Sequence, residues 1–203
     1  MIAGLTIVDV VRPAEKKLAC LYDATLVIGG SVLIALLAQI AVGYPVPITG
    51  QTFGVLIVAA LLGSRRGVAC VLAYLAEGAM GLPVFSQGRA GPAMFFGPTG
   101  GYLVGFVLAS YIVGALAERG WDRRAVTTML AMVLGSVGMY ICALAWLSCL
   151  NNVLGKPLPG GVLAVGLYPF LVGDILKIVL ATILMPSGWK LIRHFRFDNS
   201  AGI

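Results

Sequence analysis

Six apolar runs organise this chain of 203 residues, at about 24–42, 48–63, 67–82, 99–117, 125–150 and 162–185, each bounded by charged or Gly/Pro-rich segments. A helix rises about 1.5 Å per residue and the hydrocarbon core of a bilayer is about 30 Å thick, so about 20 apolar residues cross it. Four of the runs are that long. The second and third reach only roughly 24 Å as helices. They read as short crossings in a thinned bilayer or as re-entrant pieces sheltered by protein. Arg65 and Arg66 between them mark a water-side turn and favour two crossings. The pattern predicts an all-α membrane protein with six transmembrane helices.

Composition agrees. Charged residues make up 11% of the chain, where a soluble domain carries about 25%, and the mean hydropathy is +0.99. So few charges cannot cover a water-facing surface, which excludes a soluble enzyme, a disordered chain and a nucleic-acid-binding module. The partner that composition implies is the lipid bilayer, not nucleic acid. The first run is longer than the apolar part of a signal peptide and reads as a retained span.

The net charge of +6 reports orientation. With six spans both termini share a side. That side holds Arg12, Lys16, Lys17, Arg65, Arg66, Arg119, Arg123, Arg124, Lys190, Arg193 and Arg196, whereas only Arg89 and Lys156 fall on the other. Cytoplasmic loops collect Lys and Arg, so both termini are expected in the cytoplasm and the protein in the plasma (inner) membrane. The organisation expected is a cytoplasmic segment 1–23, a transmembrane domain 24–185 and a basic cytoplasmic tail 186–203.

Catalysis has little to stand on. The only histidine, His194, lies in the tail, so a Ser–His or Cys–His centre within the membrane is unavailable. No GxxxxGK[ST] motif is present for ATP. Cys20, Cys70, Cys142 and Cys149 show no CxxC pairing, which gives no sign of zinc or a disulfide framework. The reading is a protein that is not an enzyme, with no metal and no cofactor. Gly101 and Gly105 have the GxxxG spacing of close helix packing.

The polar residues inside the apolar runs carry the functional signal. Asp174 is placed near the middle of the sixth run with Lys177 three residues on, so both project from one helix face. Each costs about 2.5–3.5 kcal/mol at a helix centre on insertion scales, so the pair must face a protein or water-filled interior. It is either a structural ion pair or the polar floor of a ligand site. Thr49, Gln51 and Thr52 lie at the mouth of the second run, after two prolines, and Glu77 lies late in the third. Glu77 needs a partner at that depth unless it sits at headgroup level. The long loop that follows carries Gln87, Arg89, Phe85, Phe95 and Phe96, and loops of that length are often binding loops. In the first run, Ser31 and Ala35 are four apart among Gly29, Gly30 and Ala38. Small residues so spaced allow close approach of another helix, whether inside the bundle or from a partner.

The segments PVPITGQTFGVL (45–56), Leu62-Gly63, YLAEGAMGLPVFSQGRAG (74–91), FGPTGGYLVGF (96–106) and YPFLVGDILKIVLA (168–181) occur in the order seen in the BioY family, which the chain resembles. These are the substrate-binding S components of energy-coupling-factor (ECF) biotin transporters. The loop departs from the family, reading SQGRAGPAMF where a more glycine-rich stretch is usual, and the two ends look individual.

The resemblance implies a six-helix S-component bundle with a biotin pocket near the outer face. Its partners would be a transmembrane coupling subunit and two cytoplasmic ATPases, which alone use ATP and topple the subunit. It also implies ligand-binding roles for Asp174, Lys177, Arg89, Glu77, Gln51, Thr49, Gln87 and Tyr102, and a partner-facing role for Ser31 and Ala35. The chemistry fits biotin. The ureido ring suits a carboxylate and an ammonium three residues apart, the valerate needs a cation (Arg89 or Lys177), and the thiophane ring and aliphatic chain want an apolar wall. The alternatives are an S component for another vitamin, or an ion-coupled carrier using Asp174 and Glu77.

Overall fold

The computed structural model describes residues 4–43, 46–153, 155 and 158–198. Pro45 and Lys156, used in the sequence reading, lie outside them, as do the side chains of Arg193, His194 and Arg196. A 3-10 turn, Ile7–Val11, precedes helices α1 (Lys16–Ala38), α2 (Gln51–Ala79), α3 (Gly100–Glu118), α4 (Ala125–Asn152), α5 (Val162–Gly166) and α6 (Leu171–Asp198). A two-rung antiparallel hairpin, β1 (Ala41–Val42) and β2 (Ile48–Thr49), joins α1 to α2. Among the described residues, five helical stretches are long and apolar enough to cross a membrane: Lys16–Ala38, Gln51–Ala79, Gly100–Glu118, Ala125–Asn152 and Val162–Ile192.

The two short runs expected in the middle of the chain therefore come as one helical element, but α2 is not one rod. Gly63 breaks it at φ 85° and ψ 179°, a backbone region essentially restricted to glycine. A Cβ on Gly67 would lie 2.9 Å from the Cα of Ala59, although eight residues of continuous helix would separate them by about 12 Å. The halves 51–62 and 64–79 are thus folded against each other. The turn is capped by Glu118, whose Oε1 accepts from the Ser64 backbone N–H and hydroxyl, both at 2.8 Å.

Around α2 the helices pack in chain order, with α1 and α3 on α2, α4 on α3, and α6 closing against α4 and α2. Gly101 and Gly105 serve as their spacing predicts. A Cβ at either position would meet the α4 backbone, at Cys142 O (2.8 Å) and Met139 O (2.7 Å). The four cysteines are free thiols.

Two features of the last helix differ from expectation. The sixth run is interrupted between Gly166 and Leu171, where Pro169 disfavours helix at the residue before it. Asp174 consequently sits in the first turn of α6, where the helix dipole favours a carboxylate, while staying near the middle of the apolar stretch Val162–Ile192. At its other end α6 continues through Pro186 to Asp198, so the basic tail begins as helix.

The end of the bundle at Gly63 is strapped by the N-terminal segment. Arg66 bridges Asp9 (2.7 Å) and Asp23 (2.8 Å), and Asp23 also pairs with Arg12 (2.6 Å). Burial alone would raise the Asp9 carboxyl. The Thr6 backbone N–H, the Thr6 hydroxyl and the Arg66 guanidinium outweigh it and hold Asp9 below the usual carboxylate range. Nearby, Asp122 is 2% exposed and accepts from the Trp189 indole at 2.5 Å. There burial wins, and the carboxyl is pushed up.

Candidate ligand-binding site

The far end of the bundle contains a cleft of about 490 Å³, lined by residues of the β1–β2 hairpin, α2, α3, α4, α6 and the α2–α3 loop. That volume includes space open to solvent, and the cleft itself is narrow. Tyr102, Tyr140 and Phe170 form an aromatic wall, with ring centroids 6.3 Å apart for the tyrosines and 5.7 Å for Tyr102 and Phe170. Tyr102 is fixed by donation to Gly166 O at 2.5 Å. That carbonyl is left without a helical partner where α5 ends.

The polar floor is a cross-helix network. Lys177 Nζ donates to Asp174 Oδ1 at 3.0 Å and to Thr52 Oγ1 at 2.7 Å. Tyr140 donates its hydroxyl to Asp174 Oδ2. Thr52, in the first turn of α2, lies 3.5 Å from Asp174 Oδ1. Asp174 is 7% exposed and backs the cleft, whereas Lys177, Thr52 and Tyr140 line it. A carboxylate offers about four lone-pair sites and an ammonium three donors, so the pair has spare capacity on both members. Its net charge is near zero, which suits a neutral ligand group better than a second anion.

A second polar wall lies at the mouth. The Thr49 hydroxyl donates to Gln51 Oε1 at 3.0 Å, the Gln51 backbone N–H donates to Thr49 Oγ1 at 3.2 Å, and Gln51 Nε2 donates to the buried Tyr74 hydroxyl. Phe85 and Ser86 of the α2–α3 loop close the cleft over these groups.

Of the residues singled out from the sequence, Lys177, Gln51, Thr49 and Tyr102 come together around the cleft, with Asp174 behind Lys177. Glu77, Gln87 and Arg89 are not among the residues lining it. Glu77 accepts from the Ser31 hydroxyl at 2.8 Å and so bridges α2 to α1. Arg89 donates to Gln87 Oε1 at 2.6 Å on the outer side of the loop. Ser31 is fully buried and Ala35 half-buried against the core, so the Ser31 side chain turns into its own bundle rather than outward. The sequence reading missed Tyr140. A tyrosine in an apolar helix carries no mark of its partner, and Thr52 was noted only as polar density. Among the described residues, no cluster of three or more His, Cys, Asp or Glu side chains is placed to hold a metal.

Comparison with known proteins points to one family. The sequence model of the BioY family matches residues 12–194. A protein of Rhizobium etli named biotin transporter BioY is 37% identical over 161 residues, covering 75% of this chain and 83% of that one. Another, from Thermotoga maritima, is 34% identical over 82% of this chain and 90% of its own length. Among solved structures, the S-component for biotin from an ECF-type ABC transporter superposes with a TM-score of 0.70 at 25% identity, covering 87% of this chain and 95% of that one.

Proposed function

The chain belongs to the BioY family, and we propose from that premise that it is a membrane subunit that binds biotin in the cleft between α2, α3, α4 and α6 and serves its uptake. It is a transport protein rather than an enzyme. The observation that carries the reading is the near-neutral network of Lys177, Asp174, Thr52 and Tyr140 set beneath an aromatic wall. The ureido carbonyl accepts from the Lys177 ammonium, and the ureido N–H groups face the hydroxyl oxygens of Thr52 and Tyr140, which Asp174 orients from behind. The thiophane ring and aliphatic chain lie along Tyr102, Phe106, Met139 and Phe170. The valerate then points to the mouth, where Thr49 and Gln51 donate or accept. Arg89, whose side chain donates to the neutral Gln87 on the outer side of the loop, would supply the cation by turning inward across the mouth.

The halves of α2 count as separate crossings in this reading, giving six spans with both termini in the cytoplasm and the cleft opening outward. Support comes from the fold-back at Gly63 and the charge asymmetry of the loops. The partners are a transmembrane coupling subunit and two cytoplasmic ATPases. The surface of α1 open to such a partner carries Gly29, Val32 and Leu36, with Ala35 at its edge.

Uptake in cells tests the proposal. Cells lacking their own biotin transporter and expressing this chain with an ECF module should accumulate labelled biotin, and should not accumulate riboflavin or thiamine. Accumulation of either other vitamin in place of biotin would assign a different ligand to the same cleft.

A further inference from the structure

The segment that covers the cleft is held from two sides by residues with no contact to the cavity floor. Gln39 follows α1 and is exposed, and its side chain reaches a part of the chain 45 to 49 residues ahead. Its Nε2 donates to Ala35 O of α1 at 3.1 Å and to the loop carbonyls Phe85 O (3.3 Å) and Val84 O (3.5 Å), which share its second hydrogen, and its Oε1 accepts from the Gly88 backbone N–H at 3.0 Å. One side-chain amide thus grips both arms of the Ser86–Gly88 turn, as a neighbouring strand would. That turn contains Gln87 at φ 62°, the only non-glycine residue with positive φ among the described residues. A residue of this kind persists in such a conformation only when its surroundings hold it there.

On the buried side, the Tyr74 hydroxyl donates to Val84 O at 3.2 Å and itself receives the Gln51 amide from the cleft. Between the two grips sits Phe85, 1% exposed, edge-on to Tyr74 at 5.5 Å and to Phe95 at 6.0 Å. Its ring fills the space over Gly78, where a Cβ would lie 2.2 Å from Phe85 Cζ. Phe85 and Ser86 are the part of this segment that lines the cleft.

We infer that Gln39 is a latch, a positioning residue that holds Phe85 and Ser86 closed over the ligand and sets how fast the ligand enters and leaves without touching it. The inference rests on the ligand cleft described above. The buried Tyr74–Phe85 contact keeps the loop attached when the latch opens, so release is a local hinge and not unfolding. Because the latch is mounted at the end of α1, a displacement of that helix relative to α2 strains these bonds directly and couples α1 to the mouth of the cleft.

The experiment uses the full chain in detergent and compares the parent with Gln39→Ala in two measurements. In the first, without ligand, amide hydrogen exchange in peptides covering 82–91 should accelerate roughly tenfold in the variant, the loss expected for two or three exposed hydrogen bonds. Exchange in α3 should be unchanged. In the second, stopped-flow biotin binding should show association and dissociation both faster, while Kd changes less than about threefold. Gln39→Glu, which keeps the acceptor and loses the donor, should fall on the side of alanine. Unchanged exchange over 82–91 would overturn the latch. So would a Kd that worsens through dissociation alone, since a residue bound to ligand behaves that way. A parent that binds no biotin, with faster exchange in the variant, would remove the ligand assignment and leave the latch standing.

Discussion

Lys177 Nζ lies 2.7 Å from the hydroxyl oxygen of Thr52, 125 residues earlier in the chain, and 3.0 Å from Asp174 one helical turn away. This contact ties the start of α6 to the start of α2, and the cleft lies directly against it. The charged pair therefore both fixes the helices and faces the cavity, and the two roles separate by substitution.

Lys177→Ala removes one partner of a buried ion pair. It should lower stability by about 3–5 kcal/mol and weaken biotin binding more than tenfold. In the double variant Asp174→Leu with Lys177→Met, neither charge is left stranded. Thermal unfolding should return close to the parent while titration shows no recovery of binding. Recovered binding in the double variant would make the pair purely structural.

Glu77 behaves differently. Its carboxylate is engaged by Ser31 across α1 and α2, away from the cleft. Glu77→Ala should cost about 1.5 kcal/mol, the worth of a hydrogen bond to a charged group, with biotin affinity unchanged. Ser31→Trp, at a fully buried position, should abolish folding. A loss of biotin affinity in a well-folded Glu77→Ala protein would restore Glu77 to the site.

Arg66 holds the N-terminal strap through Asp9 and Asp23. Arg66→Met should cost about 1–2 kcal/mol, between the values for exposed and buried pairs. The sign with pH follows from Asp9, whose folded carboxyl titrates below its ordinary value of 3.8. The stabilisation is complete above that value and is lost as pH falls through the folded one. The difference in thermal stability between parent and variant should therefore be full at pH 6 and shrink towards pH 3. A difference that grows on acidification would contradict the role given to Asp9.

Orientation is testable with single cysteines in a background in which Cys20, Cys70, Cys142 and Cys149 are all replaced by alanine, because all four are free thiols. A cysteine replacing the exposed Ala93 in the α2–α3 loop should react with a membrane-impermeant thiol reagent added to intact cells. One replacing the exposed Arg124 should not. The reverse pattern would place the cleft on the cytoplasmic side.

Much of this fold was legible because hydrocarbon is a demanding solvent. Apolar runs had to be helices, and a charged pair within one had to be enclosed. Gly63 beside a Ser-Arg-Arg turn marked where α2 folds back. What sequence could not supply was pairing between distant helices: Tyr140 with Asp174, Lys177 with Thr52, Ser31 with Glu77. Each is a tertiary accident of which helix faces overlap, and none leaves a periodic trace. The displacement of Asp174 to the start of α6 was readable in principle. Pro169 sits within the apolar run, and its effect on the preceding residue was masked by the continuity of that run.

The central claim is that the cleft over Lys177 and Asp174 binds biotin, and calorimetric titration of the detergent-solubilised full chain tests it most directly. The account requires saturable binding at one biotin per chain for the parent, weakened more than tenfold in Lys177→Ala. No heat of binding from a folded parent, or equal affinity in parent and variant, would contradict it.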